Sequence, residues 1–139
     1  MEYSEFLDRV SARARLSPEL AERLTRAVLR TLAERIDSGE ADDLAGYLPE
    51  QVRGYLVKDR ISAEGFTLPE FVRRVQLRAE VDPVRAENAV RAVLSVLHDA
   101  VEEAEWAELM AQLSLDFRGL FEAAPGSGPG GPSAPPGSR

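Results

Sequence analysis

Apolar residues recur along this chain at the three- and four-residue spacing of helices, and nowhere with the strict alternation of strands. Phe6, Leu7, Val10 and Ala14 share one face of a first predicted helix, with Ser4 as its candidate cap. Ser17-Pro18-Glu19 opens a second, because Ser caps and Pro suits the first helical position, where its missing N–H costs nothing. That helix carries Leu20, Leu24, Ala27, Val28, Thr31, Leu32 and Ile36 on one stripe, and Ser38-Gly39 is the expected stop. A short helix at about 40–47 follows, then Leu48-Pro49 and a last short helix bearing Val52, Tyr55 and Leu56.

The same order then returns. Slid against itself by 65 residues, the chain matches without a gap from Glu5–Leu56 to Glu70–Phe121, with 19 of 52 positions identical. Asp82-Pro83 repeats the Ser-Pro start, and Ala86, Ala89, Val90, Val93, Leu94, Leu97 and Val101 repeat the stripe. Ala92 and Val96 widen it, so the second long helix is expected to be the more buried. Leu113, Phe117, Leu120 and Phe121 repeat the closing element, with Ser114 as its candidate cap. Two copies are fewer than the roughly three that a solenoid needs, which points to one closed domain.

The predicted fold class is therefore all-α: two pseudo-symmetric repeats of about four helices each, packed as one helical domain (1–121). Repeat 1 spans 3–56, a linker 57–66, and repeat 2 spans 67–121, opened by Thr67-Leu68-Pro69-Glu70 as a capping box. Residues 122–139, rich in Pro, Gly and Ser, hold no apolar side chain larger than Ala or Pro and are expected to form a disordered tail.

The residues that carry this organisation resemble a known family. Glu5-Phe6-Leu7, the Arg-Ala-Val-Leu run at Arg26, the acidic turn Gly39-Glu40-Ala41 and Leu48-Pro49, each set repeated, are similar to the bacterial Domain of Unknown Function 2267. The resemblance covers about Tyr3 to Phe121 and implies an all-helical fold with no established activity. The second copy departs from the pattern at Leu113-Ser114 and Ala104.

Composition narrows the chemistry. With no cysteine, thiolate nucleophiles, disulfides and zinc–thiolate sites are excluded. The first residues lack the pattern of a signal peptide, and no apolar run reaches the ~18 residues of a membrane span, so the expected setting is cytoplasmic. A net charge of −7 opposes a nucleic-acid footprint.

Three groups of polar residues are candidates for function. Asp37, Glu40, Asp42 and Asp43, with Glu102, Glu103, Glu105 and Glu108, could suit a hard cation. Neither turn fits a calcium loop, and acids at a helix start also serve the helix dipole, so no metal or other cofactor is assigned. Six Arg stand in pairs four apart (Arg9 and Arg13, Arg26 and Arg30, Arg74 and Arg78) and could bind phosphate or pair with nearby acids. His98, the single histidine, has no second histidine or nucleophile elbow to work with, so no catalytic residue is assigned.

The interaction candidates are Arg26, Arg53, Arg91 and Arg118, which recur in both copies, and Trp106, which replaces Ala41. The four arginines are expected to bind carbonyls or carboxylates of the opposite half, and Trp106 to fill a gap between halves. The leading expectation is a non-enzymatic protein-interaction domain with an unknown protein partner, no nucleic acid and no membrane, as a monomer or weak homodimer. The alternative is small-molecule or lipid binding in a cleft between the repeats. A metal-dependent enzyme using the acidic turns comes third.

Overall fold

A computed structural model describes residues 1–57 and 62–122. The described residues form eight α-helices and no strand, which establishes the all-α class. They are α1 (Tyr3–Ala14), α2 (Pro18–Arg35), α3 (Ser38–Ala45), α4 (Glu50–Arg53), α5 (Leu68–Ala79), α6 (Pro83–Ala100), α7 (Glu103–Gln112) and α8 (Asp116–Glu122). A 3₁₀ turn, Gly54–Leu56, continues α4. The starts of α1, α2 and α3 recur 65 residues later as those of α5, α6 and α7. Glu122, expected to begin the tail, instead ends α8; the rest of the expected tail, 123–139, and linker residues 58–61 lie outside the described residues.

The long helices α2 and α6 form the centre. Against both lie α1 and α5, so each first helix packs on the long helix of the other half as well as on its own. The two long helices also touch each other. Phe6, Val10, Leu24, Leu32, Phe71, Val75, Leu94 and Leu97 are completely buried between them. The expectation that α6 is the more buried does not hold. Nine residues of α2 and eight of α6 are buried, because each is overlaid by helices from both halves.

The closing elements cover this core as expected. Leu48, Val52 and Leu56 are buried, with the 3₁₀ turn against α2. Leu113, Phe117 and Leu120 are buried likewise, with α8 against α6, and Phe117 meets Phe71 edge-on with ring centroids 5.3 Å apart. Tyr55 and Phe121 are half-buried.

Ion pairs tie α1 to α6 and α5 to α2. Arg9 and Arg13 both grip Asp99, the former at 2.9 Å, while Arg74 and Arg78 both grip Glu34, at 3.0 and 2.5 Å. Each residue of the first trio stands 65 positions from its counterpart in the second.

Local signals at the helix ends hold in part. Ser17 accepts from the Leu20 N–H at 3.2 Å and Asp82 from the Arg85 N–H at 2.7 Å, as predicted. Ser4, however, lies inside the first turn of α1; Glu2 precedes that helix, and Tyr3 donates its hydroxyl hydrogen to Glu22 at 2.6 Å. Ser38-Gly39 does not end α2 but opens α3, because Asp37 accepts from the Glu40 N–H at 2.8 Å and starts a new helix. Ser114 donates its hydroxyl hydrogen to Asp116 instead of capping α8.

The capping box at Thr67 does not form either. Thr67 makes no side-chain cap, and Glu70 turns to Arg74, 2.9 Å away, because a guanidinium is a stronger donor than a backbone amide. The Leu68 N–H is taken by Asp116 of α8.

Candidate metal centre

The short helices α3 and α7 lie against each other. Near the start of α3, the Asp37 N–H donates to Gln112 Oε1 at 3.0 Å, and Gln112 Nε2 donates to Asp37 Oδ2 at 3.1 Å. Near its end, the Tyr47 hydroxyl donates to Glu102 Oε1 at 3.4 Å. The start of one helix thus meets the end of the other, and the pair runs antiparallel.

Between these two links stand four acids, each pair three residues apart on one helix face. One carboxylate oxygen from each of Glu40, Asp43, Glu105 and Glu108 lies within 4.8 Å of the others. Glu40 and Glu105 are the inner pair, only 5% and 9% exposed, and Asp43 and Glu108 form an exposed rim. With both groups ionised, Glu40 Oε2 and Glu105 Oε2 are buried with no hydrogen-bond donor. Leaving a buried acceptor unmet costs about 1–3 kcal/mol, more when it is charged, and the cluster holds two.

The electrostatics follow from that crowding. Burial, then the proton that Glu40 can share with the facing Glu105 carboxyl, then the charges of Glu105, Glu108 and Asp43 push the Glu40 carboxyl from 4.5 up to about 8. A proton on Glu40 relieves part of the repulsion at neutral pH. A divalent cation would relieve more of it, and would also engage the unmet oxygens. Hard cations take six or more oxygen ligands, which carboxylates supply singly or in pairs.

The sequence carried a signal for this site. Glu40 stands four residues before Leu44 and Glu105 four before Leu109, so both acids share a helix face with a fully buried leucine. An acid repeated on an apolar face is hard to explain by the helix dipole alone. Of the eight acids considered, Asp37 caps α3, Glu102 meets Tyr47, Glu103 lies 3.2 Å from His98 Nε2, and Asp42 is exposed outside the cluster.

The interaction candidates are placed differently from expectation. Arg53 Nε donates to the Leu48 carbonyl at 3.0 Å and Arg91 Nε to the Leu120 carbonyl at 3.0 Å, each within its own half. Both secure the closing element to which they are near in sequence or space. Arg26 lies 5.8 Å from the Tyr55 ring centroid, also in its own half, and Arg118 is exposed on α8. Trp106 stacks on His98 at 4.1 Å and meets Phe121 edge-on at 5.6 Å. Its ring partners therefore belong to the second half, and it does not bridge a gap between halves through them. The reason is rotational: Trp106 points from α7 toward α6 and α8, whereas Glu105 is the residue that faces α3.

An all-helical protein with a carboxylate cluster between two short helices is the class that fold and site define. Residues 3–120 match the family described as uncharacterized conserved protein, DUF2267, and the chain belongs to that family. Comparison with curated proteins finds no match. Among the described residues no helix is long and apolar enough to cross a membrane.

Proposed function

We propose that this protein is a duplicated helical unit whose function is to hold one divalent cation where its two copies meet. Support for the duplication comes from the recurring helix starts and from the two equivalent ion-pair trios. The single observation that carries the cation reading is the pair of buried, unmet oxygens, Glu40 Oε2 and Glu105 Oε2, inside a four-carboxylate cluster. Glu40 and Asp43 come from one copy, Glu105 and Glu108 from the other, so the ion acts as a clamp between copies. The reading is of binding: the ligands come from both copies and join two halves of one chain.

Calcium, magnesium and manganese, each added at millimolar concentration to chelator-treated protein, test the reading by calorimetric melting. A cation present at about 100 times its Kd adds about 2.7 kcal/mol, which is a rise of several degrees for a domain of this size. Glu40→Gln with Glu105→Gln is expected to abolish the rise while keeping the helical spectrum. No rise with any of the three ions, or an equal rise in the double variant, rejects the site.

A further inference from the structure

Some arginines of the domain are matched by acids and others are not. Arg9, Arg13, Arg73, Arg74, Arg78 and Arg91 each have a carboxylate within 4.0 Å. Eight others have none among the described residues, and three of these, Arg23, Arg26 and Arg30, are neighbours. All three lie on one face of α2, at spacings of three and four residues. With Arg78 of α5, and Ala27 as floor, they line a concavity of about 210 Å³.

Three guanidinium groups without a carboxylate partner share this hollow with Arg78, whose charge Glu34 offsets, and like charges so gathered repel each other in a protein of net charge −7. The arrangement is also held in place. Arg78 is pinned by Glu34 at 2.5 and 3.0 Å and by Thr31 Oγ1 at 2.8 Å. Arg26 and Arg30 both lie over the Tyr55 ring, 5.8 and 5.9 Å from its centroid.

The fold does not require Arg23 and Arg30. A second concavity, of about 420 Å³, lies between α1 and α6, and Arg13, Asn88, Arg91, Ala92 and Ser95 line it. Each of those stands 65 positions from Arg78, Arg23, Arg26, Ala27 and Arg30 in turn. The corresponding backbone is thus built with an amide and a hydroxyl where the first hollow has two guanidinium groups. Packing accepts either choice, so the extra positive charge of the first hollow is not a requirement of the fold.

We propose that Arg23, Arg26, Arg30 and Arg78 form a binding site for a compact diphosphate group. Guanidinium forks match phosphate oxygens in pairs, and converging forks favour a multiply charged oxyanion over a single charge. The hollow is smaller than the roughly 300 Å³ at which drug-sized pockets begin, so it takes the phosphates and leaves any attached group in solvent. This site is on α2 and α5 and is independent of the carboxylate cluster on α3 and α7.

Isothermal titration of the full chain at about 0.15 M salt, with chelator present, tests the proposal. The probes are inorganic pyrophosphate, ADP and sulfate. Pyrophosphate or ADP is expected to bind one per chain, at least about tenfold tighter than sulfate. Pyrophosphate binding tighter than ADP identifies a free diphosphate; the reverse order identifies one carried on a larger molecule. Arg26→Gln with Arg30→Gln is expected to weaken binding about tenfold or more without changing the melting temperature. Arg85→Gln with Arg118→Gln removes the same charge elsewhere and is expected to leave affinity unchanged. Absence of binding, equal affinity for sulfate, equal loss in the two double variants, or binding confined to an acidic peptide overturns the proposal.

Discussion

Asp116, in the first turn of α8, accepts a hydrogen bond from the backbone N–H of Leu68 at 3.0 Å. The start of α5 is thus capped by a residue 48 positions away, while Thr67, next to it in sequence, makes no side-chain cap. Asp116→Ala is expected to cost about 1 kcal/mol, the usual loss of a cap, by freeing an N–H and loosening α8 from α5. Thr67→Ala should cost less than about 0.5 kcal/mol, since no cap is lost. Urea unfolding of the two variants checks the order, and a larger loss at Thr67 contradicts it.

Stability without a cation should depend on pH in a direction that Glu40 sets. Its folded value, about 8, lies above the ordinary 4.5, so the folded state keeps a proton that the unfolded state releases between the two. The metal-free protein should lose stability as pH rises through that window. Glu34 and Asp99 run the other way. Burial alone would raise both, but Arg78 and Arg74 outweigh it at Glu34, and Arg13 and Arg9 at Asp99, and hold them below their ordinary values. Their contribution is present above the ordinary carboxyl range and fades as pH falls through it. Melting in chelator between about pH 5 and about pH 8 should slope downward, and Glu40→Gln should flatten that slope. An unchanged slope in the variant would sink this assignment.

Phe117 is completely buried against Phe71. Phe117→Ala should cost about 3–5 kcal/mol, as large-to-small changes at buried aromatic positions do. Phe121, half-buried beside Trp106, should cost less. Denaturant midpoints at constant slope measure both.

Neither half should fold by itself. With α1 packed on α6, and α2 on both α5 and α6, residues 1–57 alone expose the faces that the other half covers. The fragment is expected to aggregate, dimerise or remain molten. A sharp calorimetric transition from a monomer would show that each half has a sufficient core.

Much of this protein is legible along the chain because its determinants are local. The 3.6-residue stripe of Leu24, Val28 and Leu32, the Ser17-Pro18 and Asp82-Pro83 starts, and the match at 65 residues fix helix type, most boundaries and the buried face. These depend on neighbours within one or two turns, so contiguous residues suffice. Periodicity states which side of a helix is apolar; it does not state which other helix arrives there or at what rotation. Only the antiparallel meeting of α3 and α7 brings Glu40 and Asp43 to Glu105 and Glu108, and turns four ordinary acids into a crowded, partly buried cluster. Other helix meetings decide likewise that Trp106 faces His98, that Asp116 caps α5, and that Arg78 joins Arg23, Arg26 and Arg30. Charge repulsion, burial and capping across these gaps depend on distances in space, which residue order alone leaves open.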